Sequence, residues 1–244
     1  MSFFNRKFKR ILLKLSGEAL MSGREHGIDY AYLFTLAKAI AKLADSGVQI
    51  AIVVGGGNIF RGSHGAEYGV SRVSGDFMGM LATVINALAL HSALGKLGKE
   101  SRVMSSVRMQ EVCEPYINNH ALRHLDKGRI VILSAGIGVP FFTTDTAAAL
   151  RAIELKCEVL FKGTHKADGI YSSDPIKDDN AVFLEKISYS KIIEGNLSFM
   201  DAAAIILARD NNLPIVVFSV KIPSNVVDVI YGNCRCSFVS GEKE

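Results

Sequence analysis

Short apolar runs punctuated by glycine alternate along this chain with stretches in which apolar residues return every three or four positions. The runs at 11–15, 102–106, 129–133, 158–162 and 214–218 have the length and composition of buried strands, as does the run that starts at Gln49 and breaks off at Gly55, Gly56 and Gly57. Residues 237–239 read as an edge strand. Between the first two runs, Asp29 is placed to cap a helix with apolar positions Leu33, Leu36, Ala37, Ile40 and Leu43, ending near Gly47. A longer amphipathic helix starts at Asp76, carries Met80, Leu81, Val84, Ile85, Leu88 and Leu94 on its apolar side, and stops at Gly95 and Gly98. Helices at 115–125, 146–153 and 200–209 complete the alternation. Strands alternating with helices predict an α/β fold, with a mostly parallel central sheet covered on both faces, because each parallel pairing needs a crossover.

In such sheets ligands sit at the carboxyl ends of the strands. Lys14 to Gly17, Gly55 to Gly57, Gly136 to Gly138 and Lys162 to Thr164 each follow a predicted strand, so they are expected to converge on one edge. Three consecutive glycines followed by Arg61 read as a phosphate cradle: bare backbone N–H groups approach an anion closely and the guanidinium offers a planar fork. The plain alternative is a tight strand-to-helix turn with a surface arginine. The chain shows no internal repeat, low-complexity tract or long linker, so residues 1–244 are read as one domain. Its internal division is expected near residue 134, separating halves of about 1–134 and 135–244.

At 244 residues and 49% hydrophobic content the chain can bury a full α/β core. Its 28 basic and 24 acidic residues are dispersed, with only the start at 5–10 locally basic, which argues against a dedicated nucleic-acid binder. Cys113, Cys157, Cys234 and Cys236 lack the spacing of a zinc site and are read as free thiols. Phe3, Phe4 and Phe8 are interrupted by Asn5, Arg6, Lys7 and Lys9, and nowhere does an uncharged apolar run reach about eighteen residues. A soluble, cytoplasmic protein without a membrane or nucleic-acid partner is therefore expected.

Several phosphate chemistries are excluded by spacing. No stretch satisfies the P-loop pattern, the dinucleotide fingerprint fails because Phe60 and Phe141 stand where a third glycine belongs, and the protein-kinase signatures are missing. What remains is a set of glycine cradles with cations, which suits phosphoryl transfer between two bound anions. The transition state is loose, so the protein mainly aligns donor and acceptor and neutralises charge. Lys14 and Arg61 fit that task.

Four stretches stand in the order Lys14-Leu15-Ser16-Gly17, Gly55-Gly56-Gly57-Asn58-Ile59-Phe60-Arg61, Gly75-Asp76-Phe77-Met78-Gly79, and Gly138 through Asp145. Together they resemble the bacterial uridylate kinases, the UMP kinases of the amino acid kinase superfamily, over about residues 9–218. The resemblance implies a three-layer αβα sandwich that transfers the γ-phosphoryl group of ATP to UMP with Mg²⁺, forming UDP and ADP for pyrimidine nucleotide synthesis. It implies a homo-oligomer, usually a hexamer, activated by GTP and inhibited by UTP. It further implies an N-terminal half that mainly binds the acceptor and a C-terminal half that mainly binds ATP, and it leaves the metal ligands open.

By the same likeness, Lys14, Leu15, Ser16 and Gly17 would hold ATP phosphates, while Gly57 and Arg61 face the phosphates near the transfer point. Gly56 would contact UMP and Asp76 would grip its ribose hydroxyls. Ile137, Gly138, Val139, Pro140, Phe141, Phe142, Thr143 and Thr144 would wrap its base and phosphate. Asp145, Lys162 and Asp201 are further catalytic candidates beside Lys14 and Arg61, and Thr164, Tyr171 and Asp174 match the adenine and ribose side. Each has a structural alternative: a strand-end lysine reaching solvent for Lys14 and Lys162, a helix N-cap for Asp76, Asp145 and Asp201.

One departure concerns the loop after residue 162. The family reads Thr, two residues, then Asp-Gly-Val-Tyr, whereas His165, Lys166 and Ala167 separate Thr164 from Asp168 here. His165 therefore competes with Thr164 for a nucleotide contact, against the alternative of a solvated loop histidine. The segment 22–27, with Arg24 and His26, fits the family's GTP effector region only loosely. Two rival readings stay open: a superfamily kinase acting on a carboxylate or carbamate (acetylglutamate, aspartate, glutamate or carbamate), and a nucleotide sensor without turnover. The Asp76 context favours a nucleoside acceptor, and the intact Lys14, Arg61 and Asp76 favour catalysis.

Overall fold

A computed structural model of the chain describes residues 8–61 and 69–241; Gly62 and residues 5–7 of the basic start lie outside them. The strands are β1 (Arg10–Leu15), β2 (Gln49–Val54), β3 (Ser101–Ser105), β4 (Glu114–Pro115), β5 (Ile130–Ser134), β6 (Leu160–Thr164), β7 (Ile170–Tyr171), β8 (Phe183–Leu184), β9 (Lys186–Ser188), β10 (Ile215–Ser219) and β11 (Cys236–Ser240). The helices are α1 (Tyr30–Asp45), α2 (Arg72–Lys96), α3 (Asn118–Asp126), α4 (Thr144–Glu154), α5 (Tyr189–Glu194), α6 (Ala202–Asp210) and α7 (Asn225–Asp228). Nine strands form one sheet in the order β4-β3-β5-β2-β1-β6-β10-β11-β9, while β7 and β8 make a separate antiparallel pair. Every pairing in the large sheet is parallel except that of β10 with β11.

Alternation along the central strands builds the three layers. In β1, Ile11, Leu13 and Leu15 enter a core shared with α1, α2 and α7, whereas Leu12 enters the opposite core, shared with α3, α4, α5 and α6. The same split divides Ile50, Ile52 and Val54 from Ala51 and Val53 in β2. Because side chains alternate with period two, Lys14 must lie on the face of Leu12, beneath α4. That register sets up the site.

Several element expectations need correction. Helix α2 begins at Arg72, capped by Ser71, whose hydroxyl accepts from Ser74 N at 3.2 Å, so Asp76 lies inside the helix and is not its cap. Leu81 and Ile85 are 53% and 50% exposed and do not join the buried face of Met80, Val84, Ala87, Leu90 and Leu94. The strand at 237–239 is not at an edge: β11 lies between β10 and the three-residue β9. By contrast, Asp29 caps α1 as its position suggested, accepting from Ala31 N at 3.0 Å and Tyr32 N at 3.1 Å. Among the described residues α2 is long and apolar enough to cross a membrane, but 44% of its most apolar stretch is buried inside the protein.

Candidate active site

The parallel pairing of β1 with β6 sets Lys14 directly opposite Lys162. Both side chains point to the face of α4, and both residues are 7% exposed. Two buried ammonium groups on neighbouring strands repel, and Asp145 at the start of α4 resolves the repulsion. Its Oδ2 accepts from Lys162 Nζ at 2.5 Å, and its Oδ1 lies 2.7 Å from Lys14 Nζ in an ion pair. Burial pushes the Asp145 carboxyl up, but the charges of Lys14 and Lys162 outweigh it and hold the group below the usual aspartate range. Burial and the Lys14 charge push Lys162 the other way, down to about 8 from an ordinary 10.5, against the attraction of Asp145. N-capping is therefore not the role of Asp145. Thr143 is the cap, its hydroxyl accepting from Asp145 N at 3.0 Å.

The glycine cradle is held by close backbone contact and a buried amide pair. A Cβ on Gly17 would come within 2.8 Å of Gly55 O and of Asn58 Oδ1, so only glycine lets the turns after β1 and β2 touch. Asn58 and Asn86 are 2% and 0% exposed. Asn86 Nδ2 donates to Asn58 Oδ1 and to Gly55 O, both at 2.7 Å, and Asn58 Nδ2 donates to Gly27 O at 2.9 Å. Leu15 contributes no side chain here: it is fully buried in the core, and its carbonyl accepts from Gly55 N at 2.9 Å.

Arg61 stands beside the cradle, donating from Nε to Gly57 O at 3.1 Å and pairing through Nη2 with Glu18 Oε1 at 3.0 Å. Glu18 also pairs with Lys166, 3.4 Å away. On the other flank, Arg72 Nε reaches both oxygens of Asp76 at 2.9 Å, and Asp76 Oδ2 accepts from Phe141 N at 2.7 Å. Phe141 has φ of 73°, a left-handed conformation that a non-glycine residue keeps only when its surroundings hold it. Asp201 is filled by the start of its own helix and of α4: it accepts from Ala204 N at 2.8 Å, Thr146 N at 3.2 Å, Thr146 Oγ1 at 2.8 Å and the Thr143 hydroxyl. It caps α6 and clasps α4 to it, and its charge also acts on Lys162.

Two cavities meet at this edge. The larger, about 610 Å³, is lined by Lys14, Ser16, Gly17, Asp145 and Lys162 at one end and by Thr164, His165, Tyr171 and Asp174 at the other. The smaller, about 170 Å³, is lined by Asp76, Gly136, Ile137, Val139, Phe142 and Thr143. Gly56, Gly57 and Thr144 belong to both. Leu15, Arg61, Asp201, Gly138, Pro140 and Phe141 line neither; Gly138, at φ 84°, packs instead on the Ser106 backbone. Thr164 ends β6 opposite Ser219, and its hydroxyl accepts from Lys166 N at 3.1 Å; Thr164 and His165 both line the larger cavity.

Sequence reasoning missed Glu18, the Asn58–Asn86 pair and the wall Gly195 to Phe199 of the larger cavity. The amides carried a signal, since Asn86 is a polar residue on the buried face of an apolar helix. Glu18 was visible only as part of a loop, and nothing local ties the turn at residue 195 to glycines far upstream. Among the described residues no group of three or more His, Cys, Asp or Glu side chains is arranged to hold a metal. Glu18 and Asp145 are the carboxylates of the larger cavity near the cradle, and each is paired with two cations, Glu18 with Arg61 and Lys166 and Asp145 with Lys14 and Lys162.

A glycine-cradled pair of cavities at the carboxyl edge of this sheet defines a small-molecule kinase, and the comparisons agree. The sequence model of the Amino acid kinase family matches residues 9–219, and the chain belongs to that family. Within it the chain belongs to the uridylate kinases. It is 51% identical to the uridylate kinase of Hyphomonas neptunium over 236 residues, covering 97% of this chain and 94% of the relative. The structure of the UMP kinase from Bacillus anthracis superposes with a TM-score of 0.93 at 38% identity, covering 98% of each chain. That of the UMP kinase from Ureaplasma parvum gives 0.91 at 36% identity, covering 96% of this chain and all of the other.

Proposed function

We propose that the protein transfers the γ-phosphoryl group of ATP to UMP, giving ADP and UDP, with ATP in the larger cavity and UMP in the smaller. The observation that carries this reading is the junction. Two cavities share Gly56, Gly57 and Thr144, beside a buried Lys14–Asp145–Lys162 bridge and within reach of Arg61. Bare N–H groups and cations there neutralise charge on the moving phosphoryl group, and no covalent intermediate is required. Lys14 and Lys162 supply that charge, and Asp145 holds them in register. Thr164, Tyr171 and Asp174 take the nucleoside of ATP, and Asp76 takes the ribose of UMP in exchange for Arg72 and Phe141 N. Ile137, Val139, Phe142, Thr143 and Thr144 line the smaller cavity and enclose the uracil and its phosphate. Mg²⁺ would accompany the polyphosphate and, when bound, offset its charge; Glu18 and Asp145 are the carboxylates near the cradle that would hold it, each giving up a cation it now pairs with.

The direct test is ADP release with UMP compared with acetylglutamate, aspartate, glutamate or carbamate as acceptor. Activity on an acid alone overturns the reading, and binding without turnover makes the protein a sensor. Within that assay Asp76→Asn is expected to raise the KM for UMP about tenfold or more, the cost of one charged hydrogen bond, while the KM for ATP stays within about twofold. Equal changes in both constants would remove Asp76 from the acceptor site.

We further propose a homo-oligomer, hexameric as the resemblance implies. Val73, Phe77, Leu81 and Ile85 recur every four residues along α2 and are 42%, 42%, 53% and 50% exposed, a stripe suited to a second copy. Leu81→Asp is expected to lower the mass seen by light scattering; an unchanged mass discards this face. GTP as activator and UTP as inhibitor rest on the resemblance alone; what the structure adds is that the segment 22–27 is tied to the cradle by the two-way pairing of Gly27 with Asn58. Titration of each against the UMP saturation curve decides it. Cys113, Cys157, Cys234 and Cys236 are free thiols, which supports a reducing, cytoplasmic setting; formation of UDP from UMP would place the reaction in pyrimidine nucleotide synthesis.

A further inference from the structure

Arg151 is a buried cation that the proposed chemistry does not use. It lies on α4 about 9 Å beyond Asp145 along the helix axis and is 7% exposed. Its Nη1 donates to Glu154 Oε2 at 2.6 Å, and its guanidinium lies 3.8 Å from the centre of the Tyr116 ring. Tyr116 in turn donates its hydroxyl to the same Glu154 oxygen at 2.7 Å. The remaining arm leaves this cluster: Nη2 donates to Ser106 Oγ at 3.0 Å, and Ser106 Oγ donates to Gly136 O at 2.8 Å.

That carbonyl belongs to the entry of the loop that lines the smaller cavity. The entry is contorted. Ala135, Gly136 and Gly138 have φ of 59°, 57° and 84°, and a Cβ on Gly138 would come within 2.9 Å of Ser106 O. Glycine adopts positive φ freely, so the strained residue of the three is Ala135, which keeps that conformation only where its surroundings fix it. A serine hydroxyl has one proton, and an arginine N–H on its oxygen leaves that proton free for the carbonyl, so the guanidinium both orients and polarises the bond to Gly136. The loop's exit is fixed separately, by Thr143 on Asp145 N and on Asp201.

We infer that Arg151, acting through Ser106, is a positioning residue for the acceptor loop: a relay from the middle of α4 that sets the shape of the UMP side of the site and leaves the ATP side alone. The inference rests on the smaller cavity being the UMP site. The experiment measures KM for UMP at saturating ATP and KM for ATP at saturating UMP in the full-length parent, Ser106→Ala, Arg151→Met and the double variant, with thermal melts alongside. Ser106→Ala is expected to raise the UMP KM about fivefold, the worth of one hydrogen bond, with kcat and the ATP KM within about twofold. Arg151→Met should do at least as much, and the double variant should match Arg151→Met within about twofold, because both changes cut one relay.

A parallel rise in both KM values, full additivity in the double variant, or a parent-like UMP KM in Ser106→Ala would overturn the inference. If Arg151→Met does not fold, Ser106→Ala decides alone, since it leaves the Arg151–Glu154–Tyr116 cluster intact. A parent with no UMP turnover sinks the acceptor assignment itself; a UMP-active parent with an unmoved variant sinks only the relay.

Discussion

Asp145→Asn is expected to cost the enzyme at least about 100-fold in kcat, the scale seen when one preorganised electrostatic group is removed from a transfer site. It should also lower stability by about 3 kcal/mol, because breaking a buried ion pair leaves charge uncompensated. The argument is geometric. One carboxylate at the first turn of α4 serves two buried ammonium groups on adjacent strands, at 2.7 and 2.5 Å. Asparagine keeps the shape and removes the charge, so Lys14 and Lys162 face each other unscreened. Lys162 already gives up its proton near pH 8 and loses the partner that raises this value, so it becomes neutral at lower pH still. Steady-state kinetics with urea unfolding separate the two effects. Parent-like turnover in a destabilised variant would leave Asp145 a structural bridge; parent-like stability would remove the bridge as well.

The bridge shows how far residues alone reach. Lys14 could be singled out because a lysine inside a short apolar run is anomalous, and its place at a strand's end pointed to the carboxyl edge. What local pattern does not contain is register: that β1 and β6, distant in sequence, align Lys14 with Lys162 is a property of the sheet. Nor could it assign the acid. Thr143, Thr144 and Asp145 are all cap-forming types, and three candidates in a row leave the helix start undetermined until the backbone chooses Thr143. The start of α2 failed for a related reason: Gly75 before Asp76 looks like a stop, whereas the cap is Ser71.

The long helix also shows what an apolar pattern means. Leu81 and Ile85 were counted with Met80 and Val84, yet they are half exposed, because α2 is apolar on more than one face and periodicity does not say which face its own core takes. Three short strands were hidden for another reason. β7 and β8 are two residues each and β9 is three, too short for a period-two pattern to register. The parts of the site that could be read are those in which chemistry contradicts local propensity: glycines in succession, a lysine in a strand. The parts that could not be read depend on which segments the fold brings together.

Lys14→Met is expected to lower kcat by roughly 1,000-fold or more, comparable with losing a cation that neutralises the transferring phosphoryl group. Stability should stay within about 1 kcal/mol of the parent, because the variant keeps a one-to-one Lys162–Asp145 pair and loses a repulsion. This separates it from Asp145→Asn, where rate and stability fall together. A pH series adds a second signature. In the parent, kcat/KM for ATP should fall as pH rises through about 8, where Lys162 of the free enzyme loses its charge. Stability should move the other way. The folded value lies below the ordinary 10.5, so between these two values the unfolded chain binds the extra proton, and this group's contribution rises with pH. Burial and the Lys14 charge both depress Lys162. Removing Lys14 therefore shifts the alkaline limb of the residual activity upward. A variant with near-parent kcat would take Lys14 out of the reaction centre, and an unmoved limb would mean that another group titrates there.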